Sequence, residues 1–288
     1  MKIVVCVKQV PAVSEVRIDP KTNTLIREGV PSELNPFDEF AVEEALRTRE
    51  KYGGQVTAVS MGPPQAEEAL GISLALGVNE AILLTDPLLV GSDTLATSFA
   101  LSKVIEKVGY DIIFCGQEST DSSTGQVGPG IAEHLGIPQV TFVSKVEKIA
   151  KREVTVHQET DKGYKIIESR LPLLLSVTKG INEPRAPSLS ERRKIVKKMC
   201  LADLDCDPTM VGLEGSPTQV VNISYAENTR GSFFSIPTNL PAHERVKLIM
   251  SGGVKEKKDN IILHGMSEEN IQKVIEFIVN GLSPERLP

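Results

Sequence analysis

The sequence has no tryptophan and only eight phenylalanines and four tyrosines in 288 residues. That scarcity argues against single-strand nucleic-acid platforms, which stack bases on aromatic rings. Net positive charge is lacking too. The formal charge is −6, the wrong sign for neutralising the phosphates of a nucleic acid. Long apolar runs are missing: the best, Leu171–Val177, is broken by Pro172 and falls far short of the ~20 residues that cross a bilayer. The four cysteines, Cys6, Cys115, Cys200 and Cys206, form no Cys-x-x-Cys pair, so neither a zinc nor an iron–sulfur site is expected. Cys6 and Cys115 sit in apolar runs that predict buried, inert thiols rather than a disulfide. The histidines, His134, His157, His243 and His264, stand beside no nucleophile or metal ligand, and His134 reads as structural. The opening Met1-Lys2-Ile3-Val4-Val5 has the pattern of a strand rather than a leader, so a cytoplasmic protein without membrane insertion is expected.

What is present is a globular composition, 40% hydrophobic, arranged in a regular rhythm. Ile3–Val10 reads as a β-branched strand stopped by Pro11. Asn35–Tyr52 reads as a helix, with Asn35 as N-cap, Pro36 in the first turn, Asp38 as a capping-box acid and Gly53-Gly54 as the stop. Strands follow at Gln55–Ser60, Ala81–Thr85 and Asp111–Cys115, and helices at Pro64–Leu76, Asp93–Val108 and Gln126–Leu135. Alternation of this kind predicts an α/β fold, a doubly wound parallel sheet covered by helices on both faces. Ligands in such sheets bind beyond the carboxyl ends of the strands, which directs attention to the loops after Val10, Ser60, Thr85 and Cys115. From residue 138 the rhythm changes. Gln139–Ile149, Glu153–Glu159, Tyr164–Arg170 and Leu173–Thr178 read as consecutive strands, an antiparallel or mixed extension with a turn at Lys162-Gly163. A proline-punctuated loop, Asn182 to Pro187, precedes the basic stretch Ser188–Met199, and a last helix is expected over Ser267–Asn280. The change of rhythm divides the chain into an α/β domain with its strand extension over 1–187 and a remainder over 188–288.

Gly116 to Gly130 carries the strongest chemical signal. It follows a parallel strand and opens a helix, where free N–H groups and the helix dipole favour a diphosphate. Glycines at 125, 128 and 130 allow close backbone approach. Neither Gly-x-Gly-x-x-Gly nor a P-loop is present, so the segment reads equally as a phosphate cradle or as a plain helix start. In Gly91 to Ser98, Ser92 or Asp93 suits an N-cap, while Thr94 and Thr97, one turn apart, offer hydroxyls to a ligand. Met61-Gly62-Pro63-Pro64 adds a thioether at the same edge of the sheet.

Taken together and in order, Val5-Cys6-Val7-Lys8-Gln9-Val10, Asn35-Pro36-Phe37-Asp38, Val59-Ser60-Met61-Gly62-Pro63, Asp121 to Gly128 and Asn182-Glu183-Pro184-Arg185 resemble the β subunit of electron-transferring flavoproteins. The resemblance implies the adenine-nucleotide-binding doubly wound fold, a heterodimer with an α subunit, and a C-terminal arm embracing that subunit. Ser92 to Ser98 resembles the electron-bifurcating version, in which FAD fills the β-subunit site and takes hydride from NADH. In the ordinary version AMP fills that site. Residue by residue, the resemblance implies that Cys6, Asn35, Phe37 and Met61 line the adenosine. Gly125, Gln126, Val127, Gly128 and Pro129 would hold the diphosphate, Asp93, Thr94 and Thr97 would lie near the isoalloxazine, and Asp121, at the start of the same motif, would belong to the cofactor site. Arg185 and Leu189 match its docking element, although Ala186 replaces the family's aromatic residue. Implied partners are an α subunit, a flavoprotein dehydrogenase of acyl-CoA, enoyl-CoA or lactate type, and ferredoxin or flavodoxin. A flavin carries its own redox chemistry, which accounts for the absence of an acid–base pair. The alternatives are a non-bifurcating carrier holding AMP and, in another class, a stand-alone ATP- or AMP-binding regulatory protein.

Overall fold

The computed structural model describes residues 1–12, 18–19, 24–25, 31–188, 195–218, 220 and 271–272. The chain divides into two compact units, Met1–Ile223 and Ser224–Pro288. In chain order the elements of the first are β1 (Lys2–Cys6), β2 (Gln9–Pro11), β3 (Ile18–Asp19), β4 (Thr24–Leu25), β5 (Ser32–Leu34), α1 (Pro36–Tyr52), β6 (Gln55–Met61), α2 (Glu67–Leu76), β7 (Glu80–Leu84), α3 (Thr94–Val108), β8 (Ile112–Gly116), α4 (Val127–Leu135), β9 (Gln139–Ala150), β10 (Glu153–Thr160), β11 (Gly163–Arg170), β12 (Leu173–Val177) and β13 (Lys197–Met199).

The main sheet has nine strands in the order β11-β10-β9-β12-β8-β1-β6-β7-β13. Neighbours from β9 through β13 run parallel, and β10 and β11 extend the β9 edge antiparallel. Alternation along β1 divides the core. Ile3 and Val5 face the layer of α1 and α2, with Ala41, Leu46, Leu70 and Leu74. Val4 and Cys6 face the layer of α3 and α4, with Leu101, Ile105, Ile131 and Ala132. Each fully buried leucine or isoleucine in these layers contributes about 1.5–3 kcal/mol. Gly53, Gly77, Gly109 and Gly136 close the four helices. The doubly wound sheet, its two helical faces and the strand-rich extension are those expected from the sequence.

Four local readings are corrected. The first strand stops at Cys6. Val7 N–H still reaches Val59 O in β6, but Lys8 N–H turns to the Asp38 carboxylate, and Gln9–Pro11 pairs antiparallel with β5 instead. Val10 is buried, so the apolar pattern continued past the point where sheet pairing ended. β12 does not lie in the antiparallel extension; it returns between β8 and β9 as a fully buried parallel strand. Pro64–Leu76 divides into a 3-10 turn, Pro64–Ala66, followed by α2. Within the basic stretch, Lys197–Met199 forms the edge strand β13, where Lys197 pairs with Glu80 and Lys198 with Glu67.

All four thiols are free, and Cys6 and Cys115 are buried. Burial, then the nearby Asp38 charge, pushes the Cys6 thiol up to about 12. His134 packs edge-on against Phe99, the structural role read for it. Among the described residues no helix is long and apolar enough to cross a membrane. Leu189, residues 192–194, His243, His264 and all of 267–280 except the helical pair Ile271-Gln272 lie outside the described residues.

Candidate functional site

The chain moves outward from β1 to β6 and β7, then crosses back over β1 to place β8 on its other side. Strand order therefore reverses between β1 and β8, and their carboxyl ends open the crevice where ligands of such sheets bind. Its walls are the turn Val7-Lys8, the first turn of α1, the loop 117–126 and the N-terminus of α4.

The first turn of α1 stitches those walls together. Asn35 occupies the N-cap position, yet its side chain does not cap the helix. Its Nδ2 donates to Glu118 O at 2.9 Å, and its Oδ1 accepts Thr120 N–H at 3.2 Å. Asp38 is likewise no capping-box acid. Its Oδ2 accepts Lys8 N–H at 2.8 Å and its Oδ1 accepts Gly116 N–H at 3.2 Å, bridging the ends of β1 and β8. Burial raises this carboxyl to about 7, against the pull of those two N–H donors, Asn35 and the Lys8 charge. The Lys8 ammonium donates to Asp121 at 2.7 Å and reaches Ser119 and Ser122, pinning the loop from the β1 side. Burial pushes Asp121 up, but Lys8 and the two serine hydroxyls outweigh it and hold the carboxyl below its usual range. The roles of Lys8, Asp38, Ser119 and Ser122 escaped the sequence reading. The one available signal was a lone cation directly after an apolar strand of a parallel sheet.

The N-terminus of α4 is open. Gln126 at the N-cap makes no side-chain cap, and the first turn holds no acidic residue. The earliest N–H groups of a helix have no partner within it; those of Val127 and Gly128 meet no acceptor among the described residues, and Pro129 has none to offer. Gly125 takes φ +62, the left-handed turn that brings the loop into α4. Gly128 has a packing duty as well: a Cβ there would stand 2.6 Å from Cys115 Sγ, so glycine lets α4 lie directly on β8.

α3 meets α4 at their N-termini. Thr94 Oγ1 donates to Gln126 Oε1 at 3.0 Å. Asp93 caps α3, its Oδ1 accepting Leu95 N–H and Ala96 N–H. Its other oxygen is taken by Thr218, so the carboxylate is fully engaged within the protein. Thr97, one turn on, is half-buried, and no described residue hydrogen-bonds its hydroxyl. Cys6 ends β1 and Met61 ends β6, both against the α3 and α4 layer, while Phe37 backs onto Gly116. The structure thus gathers Asn35, Phe37 and Asp121 with Cys6 around the β1 and β8 ends, and Asp93, Thr94, Gly125, Gln126, Val127, Gly128 and Pro129 around the two helix starts.

Arg185 is elsewhere. The segment 182–185 runs along α1, where Asn182 Nδ2 donates to Phe40 O and Glu44, and Arg185 grips Glu43 at 2.8 Å and Glu50 at 2.7 Å. The Arg185 guanidinium is thereby committed inside the chain. A cavity of about 260 Å³ lined by Glu44, Arg47, Lys51, Tyr52 and Lys145 lies along α1 and β9, away from the crevice. No group of three or more potential metal ligands occurs among the described residues.

Comparison with known proteins places this arrangement. The electron transfer flavoprotein domain model matches residues 22–204. The electron transfer flavoprotein subunit beta of Thermoanaerobacterium thermosaccharolyticum is 49% identical over 267 residues, 91% of this chain and 96% of that protein. Its counterpart in Clostridium acetobutylicum is 50% identical over 231 residues, 79% of this chain and 89% of that one. Protein FixA of Sinorhizobium fredii is 46% identical over 235 residues, 77% and 82% of the two chains. The described crevice, the sheet that forms it and the extent of these matches lead to one assignment: the chain belongs to the electron transfer flavoprotein family, as a β subunit.

Proposed function

We propose that this β subunit pairs with an α subunit, holds FAD in the β1/β8 crevice, receives a hydride from NADH and serves an electron-bifurcating complex. One electron would pass by way of the α subunit to a flavoprotein dehydrogenase, the other to ferredoxin or flavodoxin. Residues 188–288, Leu189 among them, would serve as docking loop and arm against the α subunit, with Arg185 holding the base of that loop to α1.

The observation that carries this reading is the uncapped, acid-free start of α4, joined through Gln126 to Thr94 of α3. The residues present fit a dinucleotide: a diphosphate is matched by the free Val127 and Gly128 N–H groups and the dipole of α4. When bound, FAD would supply two-electron acceptance and one-electron release, a chemistry no side chain here provides. The chain's own work is to bind and orient. Asn35, Asp38 and Lys8 hold the 117–122 loop in place, and Cys6, Phe37 and Met61 offer an apolar wall for adenosine. The Thr97 hydroxyl, without a described partner, is the group left to face the ring.

Purification of the complex from native extract, with its bound nucleotides and flavins counted, tests the reading. Two FAD per αβ pair, bleached by NADH, is the expected result. One FAD with one AMP would leave a non-bifurcating carrier, and a colourless single subunit holding ATP or AMP would overturn the assignment of a flavin site.

A further inference from the structure

An N-cap needs one carboxylate oxygen, and Asp93 uses only Oδ1 to cap α3. Its carbonyl accepts Thr97 N–H within α3, while its own N–H and its second carboxylate oxygen go to a segment more than a hundred residues away. Asp93 N–H donates to Ser216 Oγ at 2.8 Å, and Oδ2 accepts Thr218 N–H at 3.1 Å and the Thr218 hydroxyl at 2.6 Å. One residue earlier, Ser92 Oγ accepts Gly212 N–H at 2.9 Å. Val211 is 2% exposed and anchors this segment in the α3 and α4 core. One residue later, Thr94 carries the chain of bonds to Gln126 at the start of α4. Burial alone would raise the Asp93 carboxyl, and the Thr218 and α3 donors outweigh it, so the group sits below its usual range and binds as an anion.

We propose that Ser216 and Thr218 are positioning residues for the crevice: through Asp93 they fix the start of α3, and through Thr94 and Gln126 they fix the start of α4. The segment that leads into residues 219–288 and a ligand at α4 then stabilise one another, each making the other's docking more favourable. The effect on ligand binding rests on the reading of the crevice as a dinucleotide site; the link between the two helix starts does not.

Hydrogen exchange on the ligand-free αβ complex reads the link directly. In Thr218→Val, faster exchange is expected at Leu95 and Ala96 and also at Gly130, whose N–H closes the first turn of α4, while Thr218→Ser keeps wild-type rates. Acceleration confined to residues 216–218 would overturn the proposal. Titration with FAD and with AMP supplies the second readout. Loss of one hydrogen bond to a charged group predicts roughly tenfold weaker binding in Thr218→Val, restored in Thr218→Ser. Wild-type binding with unchanged affinity in Thr218→Val would also overturn it. Ser216→Ala, which removes only a neutral partner, should shift both readouts the same way by less, and covers the case in which the valine variant does not fold. Faster exchange at Gly130 in Thr218→Val, together with a wild-type protein that binds neither nucleotide, would support the link and sink the dinucleotide reading instead.

Discussion

The carboxylate of Asp38 accepts the backbone N–H of Lys8 at 2.8 Å, and this bond ends β1. With Gly116 N–H on the other oxygen, a single buried side chain sets the spacing of the two strand ends that open the crevice.

A buried charge at this point makes stability depend on pH. Burial lifts the Asp38 carboxyl from the usual 3.8 to about 7 in the fold. The folded chain therefore binds the extra proton between those values. Its contribution is fullest below 3.8 and is lost as pH rises through about 7, with a slope of up to ~1.4 kcal/mol per unit. Urea melts of wild type between pH 5.5 and 8.5 should show this decline. Asp38→Asn should be less stable at pH 6, since its amide cannot accept from both N–H groups, but its deficit should shrink toward pH 8. A deficit that is constant with pH would show that Asp38 does not titrate in this window.

Gln126→Glu should move two properties in opposite directions. A carboxylate at the start of α4 favours the helix dipole and should raise stability by about 0.3–1 kcal/mol. The same charge should repel a diphosphate and weaken FAD or AMP binding at least ~10-fold, a loss of 1.4 kcal/mol or more. Thermal melts and nucleotide titration of the same preparation suffice, and unchanged affinity would mean that the diphosphate lies elsewhere.

Gly128→Ala should destabilise by about 1–3 kcal/mol, the usual cost of overpacking. The added methyl would press on Cys115 Sγ. Cys115→Ala should relieve most of that strain, so the double variant should be more stable than the two separate losses predict. Strict additivity in a double-mutant cycle would place the cost in the helix backbone rather than in this contact.

Arg185 holds the buried Glu43 carboxylate and the more exposed Glu50 together on α1. Burial raises Glu43, and Arg185 with Arg47 outweighs it, so the carboxyl sits below its usual range. That stabilisation is present above the usual carboxylate range and lost as pH falls through the lowered value. Arg185→Ala should cost about 1–2 kcal/mol at pH 7, since the guanidinium is partly exposed, and the difference from wild type should narrow in acid. Lysine should rescue poorly because it cannot make the two-sided grip. Full rescue by lysine would show that charge alone mattered.

How much of this was legible beforehand follows the distance over which each interaction acts. The alternation of strands and helices, the glycines that end the helices, the Asp93 cap and the motifs shared with electron transfer flavoproteins depend on neighbours within a few residues, and all could be read directly. The extent of β1 could not, because Lys8 leaves the sheet for a carboxylate 30 residues away. Asn35 looked like a cap for its own helix, yet its amide serves a loop more than 80 residues on. Arg185 looked free to dock a partner, and α1 supplies two carboxylates that claim it.

The sequence by itself determined the fold class, the family and the stretch of chain that forms the crevice, because hydrophobic period and local turn chemistry decide those. Only the tertiary structure decided which polar groups in that crevice are already satisfied. It takes up both oxygens of Asp38 and Asp93 within the protein, while the first N–H groups of α4 meet no acceptor among the described residues. A buried polar group must find its partner wherever the packed chain brings one near, and no spacing rule records where that will be.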